Sequence, residues 1–270
     1  MKSVFYSLCL IMFLLILFLT GCSDNSSSLV SNNNTANGSL KLYLIDSVNG
    51  MDSVVVCVKR VEVHSSGSDS TSGWMILNDS LRYFDLLQLT NGLHAVLSNN
   101  QLAPGHYTQI RLILADSNYV VDTNGTKYHL TVPSGIQTGI KLNNNFTITA
   151  ANLYELYLDF DAGKSIKLNG NGTYKLLPVI RVIVASVSGS VSGQILPIDA
   201  DASVSAISIS DTISAFTLPD GTFLFPAIPA GAYDFIIHPA NIVYSDSTIS
   251  GINVFANSNI NLGIITLNKN

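Results

Sequence analysis

The stretch VVVCVKRVEV, Val54–Val63, decides the fold class. Val54, Val56 and Val58 recur at the period of a strand, and the apolar phase then moves to Val61 and Val63. Strand side chains alternate between two faces, so a one-residue slip turns the wrong set toward the core unless an extra residue absorbs it. A β-bulge near Lys59-Arg60 is therefore expected. Before this stretch, SLKLYLID (39–46) alternates Leu40, Leu42 and Leu44. After it, SSGSDSTSG (65–73) reads as a loop and WMIL (74–77) as a strand. YFDLLQL (83–89) reads as another strand, closed by the turn signal Asn91-Gly92, and residues 93–99 read as a short helical turn.

The same pattern continues toward the C-terminus. YTQIRLIL (107–114) follows the Pro104-Gly105 turn, and Asn124-Gly125 lies between two strand-like runs as in a hairpin. Further strands are expected at 141–142, 146–149, 153–160 and 174–184. Strands every eight to twelve residues with turn signals between them, and no amphipathic helix of useful length, predict an all-β chain of antiparallel sandwiches. ASVSGS (185–190) is small, polar and Gly-containing, as a domain junction is. The expected organisation is a signal peptide at 1–21, a tether at 22–38, and two sandwich domains in tandem at 39–186 and 187–270. The tether reading rests on SDNSSSLVSNNNTANGS (23–39), which has almost nothing to bury.

The N-terminus is a targeting segment and no part of the fold. Lys2 is followed by the apolar run LCLIMFLLILFL (8–19), which breaks at Thr20-Gly21-Cys22. The run is shorter than the ~20 residues of a spanning helix. Leu19-Thr20-Gly21-Cys22 resembles the lipobox of bacterial lipoproteins, which implies acylation of Cys22 and cleavage before it. Two or more acyl chains anchor a protein stably, at about 0.8 kcal/mol per buried CH2. Ser23, where the enteric inner-membrane signal would be aspartate, favours the outer membrane. Cys9 leaves with the signal and Cys22 takes the lipid. Cys57 is then alone in the mature chain, with no internal disulfide partner.

Net charge is −5 and no Lys/Arg run occurs, which argues against nucleic acid as a partner. Five histidines (64, 94, 106, 129 and 238) are scattered without a zinc spacing. Gly163-Lys164-Ser165 lacks the earlier glycine of a phosphate loop, since Leu158 stands there. Pro133-Ser134-Gly135 lacks the flanking glycines of a nucleophile elbow. Asp159 and Asp161 sit two apart on a strand and so share a face, about 6.8 Å apart by the strand rise. They are candidate ligands for Ca2+, set against a plainer role as capping and ion-pairing groups. Trp74 is a candidate for stacking on a sugar ring, although Met75, Ile76 and Leu77 continue an apolar run that favours a core position. The Asn-x-Thr sequons at Asn124, Asn145 and Asn171 read as turns.

Two resemblances add to this reading. VKRVEVH, YFDLLQLTNG, LAPGHYTQIRLIL, VPSGIQTGIKL, LDFDAGKSI and YKLLPVIRV occur in order between Leu40 and Val184. They resemble a domain of unknown function common in bacterial lipoproteins, which implies an extracytoplasmic β domain and no established activity. From Val187 onward, Val187-Ser188-Gly189, Ala202-Ser203-Val204, Pro219–Phe223 and Ile228–Tyr233 are similar to the carboxypeptidase regulatory-like family. That resemblance implies a prealbumin-like sandwich of the carbohydrate-binding-like type, with Gly221 and Gly231 in tight turns and Phe223 and Tyr233 in the core. The favoured function is a non-catalytic, lipid-anchored envelope protein, whose partners are the membrane and a carbohydrate or another envelope protein. A structural protein without a small ligand and an extracytoplasmic hydrolase are the alternatives. In the second domain, Tyr244 with Asn241 and Asp246, near Asn253, is the candidate sugar site, against the plainer reading that Tyr244 covers a sheet edge.

Overall fold

The structure, a computed structural model, describes residues 36–47, 51–69, 72–133 and 138–270. Cys22, the signal segment, most of the tether and Ser134 lie outside the described residues. The described chain is all-β, and Thr35–Asn270 forms one compact unit.

The first thirteen strands are β1 (Gly38–Ser47), β2 (Ser53–Ser65), β3 (Trp74–Asn78), β4 (Arg82–Asp85), β5 (Ala95–Leu102), β6 (Gly105–Leu114) and β7 (Tyr119–Val121), then β8 (Lys127–Thr131), β9 (Ile140–Ile148), β10 (Leu153–Asp161), β11 (Ile166–Leu168), β12 (Tyr174–Leu176) and β13 (Ile180–Val184). A four-stranded sheet in the order β13-β10-β1-β5 packs on a nine-stranded sheet in the order β11-β12-β8-β7-β2-β6-β9, with β3 and β4 also paired to β2. Leu42, Leu44, Leu156 and Leu158 from one sheet meet Val54, Val56, Ile110 and Leu112 from the other in a single buried cluster. The β2–β6 pairing shifts between Val58 and Arg60, so Lys59 is the extra residue that absorbs the phase change of the valines. Asn124-Gly125 turns the β7–β8 hairpin, with Gly125 at φ 78°.

The last seven strands are β14 (Ser188–Leu196), β15 (Ala202–Ile207), β16 (Thr212–Phe216), β17 (Thr222–Pro229), β18 (Gly231–Pro239), β19 (Ser247–Val254) and β20 (Asn259–Thr266). They form the sheets β17-β14-β20 and β16-β15-β18-β19 around Phe223, Phe225, Phe235, Val191 and Val204. This cluster shares no residue with the first. Gly221 sits at φ 81° in its turn, where a Cβ would lie 2.3 Å from the Ile195 carbonyl oxygen. Pairing is antiparallel throughout both sandwiches, except for the β1–β10, β8–β12 and β14–β20 pairs, which are parallel.

Four local expectations are corrected. Residues 93–99 contain no helical turn; Ala95–Leu102 is β5, recruited by pairing with β1. The run 83–89 is strand only to Asp85, whose carboxylate then caps a 3-10 turn at Leu86–Gln88. The strand expected at 174–184 is interrupted at residues 177–179, around Pro178, which has no N–H to give a ladder. The junction at 185–190 is no linker: Ala185–Val187 is a 3-10 turn and Ser188 already begins β14. Gly189 is there for close approach, since a Cβ would lie 2.6 Å from the Phe255 carbonyl oxygen.

Arg181 on β13 ties the two sandwiches together. Its guanidinium is paired to buried Asp159 of β10. It also donates to Asp211 at 2.5 and 3.1 Å and to the Thr212 carbonyl at 3.2 Å. Burial opposes the charge, but the hydrogen bond to Asp211 and the fields of Asp159 and Asp211 outweigh it and hold Arg181 above its ordinary pKa. Asn91 adds a second tie, donating to the Phe216 carbonyl at 3.1 Å and accepting from the Leu224 amide at 3.0 Å.

Candidate functional site

The outward face of the nine-stranded sheet concentrates the polar chemistry of the molecule. Alternation along β2, β4, β7, β8 and β12 sends Val54, Val56, Phe84, Val120, Leu130 and Leu176 inward, where all are buried. Their neighbours therefore face out: Tyr83, Tyr119, Lys127, His129, Lys175 and, on β11, Lys167. Pairing places these residues side by side. Tyr83 lies opposite Cys57 and Tyr119 opposite Val55, so the tyrosines flank β2. His129 lies opposite Tyr119, Lys175 opposite Thr131, and Lys167 opposite Lys175.

Tyr83 is 56% exposed. The Lys127 ammonium sits 3.4 Å from the centre of the Tyr119 ring, a cation–π contact. His129 Nε2 approaches the Asp116 carbonyl at 2.7 Å and its carboxylate at 3.5 Å. A groove of about 340 Å³ runs between Tyr83, Ser117, Asn118, Tyr119, Lys127 and His129. Asn118 fixes its floor, accepting the Cys57 N–H at 2.7 Å and donating to the Ala115 carbonyl at 2.6 Å. Cys57 is fully buried there, a small apolar residue as its sequence context implies.

Beyond the bulge at Lys59 the same face is closed by its own charges. Glu62, 4% exposed, receives the Arg111 guanidinium at 2.5 Å and has Arg60 at 3.6 Å. Arg111 lies 3.8 Å from the centre of the Trp74 ring, and the His64 ring meets Trp74 at 4.9 Å. His64 is in turn held by the Asp69 and Ser72 carbonyls, each at 2.9 Å. Trp74 is thus half-buried, with Arg111 against its ring.

The other candidate residues are placed as follows. Asp159 is 2% exposed and paired with Arg181, while Asp161 caps the short helix α1 (Ala162–Ser165) and pairs with Lys164 at 2.9 Å. Both carboxylates are therefore committed to cations, and among the described residues no group of three or more His, Cys, Asp or Glu is arranged to hold a metal. Tyr244, the stacking candidate of the second domain, is buried, which agrees with the plainer reading that it covers a sheet edge. It is 7% exposed, and its hydroxyl bonds both Asp199 carboxylate oxygens at 3.0 and 3.1 Å. Asn241 donates to the Asp199 carbonyl at 3.2 Å, and Asp246 pairs with His238 at 2.8 Å. These residues lock a loop against the sheet edge, leaving Ile242, not Tyr244, in solvent at 88% exposure.

A family model described as Domain of unknown function (DUF4382) matches residues 37–178, more than half of the chain. The chain belongs to the DUF4382 family. No curated protein matches it. Among solved structures, an interface mutant of a type II cohesin–X-dockerin complex from Acetivibrio cellulolyticus is 26% identical over 29% of this chain and 56% of its own, with a TM-score of 0.24. The Bacillus anthracis TIE protein is 15% identical over 87% of this chain and 34% of its own, with a TM-score of 0.26. A shaft pilin from Lactobacillus rhamnosus GG is 10% identical over 87% and 99%, with a TM-score of 0.24. The chain therefore spans just over half the length of the first of these and about a third of the second. Scores of this size establish no common fold.

The DUF4382 region contains the whole nine-stranded sheet and hence the entire outward face, whereas β13 with Arg181 and the second sandwich lie beyond it. Sequence reasoning missed Tyr83, Lys127, Lys167 and Lys175 as a group. They lie far apart in the chain, and only the strand order brings them to one face.

Proposed function

We propose that this DUF4382 protein is a lipid-anchored, non-catalytic binding protein of the bacterial envelope, with carbohydrate as its ligand class. The observation that carries the reading is the open tyrosine at Tyr83, beside a groove lined by a hydroxyl, an amide, an ammonium and an imidazole. A flat aromatic ring with hydrogen-bonding groups around it suits a sugar ring, which has apolar faces and a hydroxyl rim. Anchoring rests on the lipobox-like Leu19–Cys22, and Ser23 favours the outer membrane. The tether joins at Gly38, while the other end of β1 approaches β16 of the second sandwich; ten residues of strand place these ends about 30 Å apart. The first sandwich would thus stand between the membrane tether and the second.

The test has two parts. Cys22→Ala should abolish labelling by a fatty-acid analogue and release the protein from membranes; continued labelling would remove the anchor from the account. The full chain in detergent should bind members of a glycan array, and Tyr83→Ala should lose most of that signal. An array with no bound glycan would end the carbohydrate reading.

A further inference from the structure

The outward face is basic as well as aromatic, and the lysines of its open part meet no carboxylate. Arg60, Arg111, Arg181 and Lys164 each meet a carboxylate. Among the described residues, Lys127, Lys167 and Lys175 form no ion pair. Lys167 and Lys175 are also directly opposed across β11 and β12. Like charges in that position repel, so the pair works against the fold that carries it. An anion lying across the face would relieve this repulsion. The row runs from Tyr83 through Tyr119, Lys127 and His129 to Lys175 and Lys167. It crosses six adjacent strands, roughly 24 Å at the usual strand spacing.

Resting on the carbohydrate reading, we infer that this strip binds an acidic polysaccharide, one carrying carboxylates along its chain. Tyr83 stacks on a sugar ring at one end of the strip. The ammonium groups meet successive carboxylates toward the other, and Lys127, held over Tyr119, bridges the two halves. The chemistry favours an extended ligand because the cations are spread over several strands and do not converge on one pocket. Asp116, which faces His129, sets a negative charge at that position and leaves the main load on the three lysines.

The test uses the full chain in detergent with three probes: polygalacturonate, the same polymer with its carboxylates methyl-esterified, and a single-stranded oligothymidylate. The acidic form should bind roughly tenfold more tightly than the ester, and should weaken as salt rises from about 50 mM to about 300 mM, because exposed charges are screened. The double variant Lys167→Gln, Lys175→Gln should weaken binding of the acidic form roughly tenfold and leave the ester unchanged. Its melting temperature should stay level or rise, since the repulsion is gone, so lost binding could not be ascribed to unfolding. Equal affinity for both polymer forms would overturn the charge inference while leaving carbohydrate binding in place. Absence of binding to either polymer would overturn both. Binding of the oligonucleotide as tightly as polygalacturonate would overturn it in favour of a non-selective polyanion surface.

Discussion

The two sandwiches solve one structural problem in the same way and then diverge on their surfaces. Each contains a Gly-x-Tyr corner: Gly105-His106-Tyr107 at the start of β6 and Gly231-Ala232-Tyr233 at the start of β18. In each, the buried tyrosine hydroxyl donates to the carbonyl four residues earlier, Ala103 or Pro229, at 3.0 Å. Burial raises the pKa of both phenols, as expected of groups that must stay neutral donors. The outer faces share nothing comparable. Of the 13 Lys and Arg residues, the second sandwich, 187–270, has only Lys269. Its outward positions on β14 and β15 are mostly Ser, Gly and Gln. A sandwich frame needs only alternation, a few turns and a corner, so outward positions are free to carry chemistry in one copy and none in the other.

The comparison can be broken most forcefully at the junction. Arg181→Ala leaves the buried Asp159 carboxylate without its cation, and should cost about 3–5 kcal/mol in denaturant unfolding. Asp159→Asn with Arg181→Met should recover most of that loss. A cost below ~1 kcal/mol for Arg181→Ala would mean the tie contributes little. Next in size is separation of the halves. Residues 38–186 and 187–270, expressed alone, should each melt cooperatively, because their cores share no residue. Each should melt below the intact chain, having lost the Arg181–Asp211 and Asn91 contacts. An unfolded second piece would show that the frame is not independent.

Smaller effects test whether the corners are equivalent. Tyr107→Phe and Tyr233→Phe should each cost about 1 kcal/mol by thermal unfolding, the worth of one such hydrogen bond plus an unsatisfied carbonyl. A large difference between the two would break the parallel. The smallest effect concerns turn aspartates present in both halves. Asp122 is held below its usual pKa by the Thr126 and Asn124 backbone amides, and Asp220 by the hydroxyl and amide of Thr222. A carboxylate depressed in the folded state stabilises above its unfolded pKa of about 3.9, and loses that contribution as pH falls through its folded value. Asp122→Asn and Asp220→Asn should therefore lose a small stabilisation at neutral pH and leave acid unfolding less steep below about pH 4, where the carboxylate contribution is lost in any case.

Much of the frame was legible before the structure. The valine phase change located the bulge at Lys59, Asn124-Gly125 located a hairpin, and Phe223 and Tyr233 fell in the core as their motif implies. The failures have physical causes. β5 has a central run, Leu97 to Gln101, without β-branched residues; only its partner β1 makes it a strand. Tyr244 stood in a polar loop that left two readings open, and the plainer one holds: its hydroxyl bonds the Asp199 carboxylate against the sheet edge, while Ile242 is turned outward. The outward strip was illegible because it depends on the parallel β8–β12 pair, which joins segments more than 40 residues apart. No local pattern encodes such a pairing.

The most direct test of the claim that the first sandwich alone carries the binding face is chemical-shift mapping of the isotope-labelled chain during titration with polygalacturonate. The account predicts shifts at the amides of Tyr83, Tyr119, His129, Lys167 and Lys175, with the loop at 241–253 unmoved. Shifts confined to 241–253, with the nine-stranded sheet silent, would contradict it.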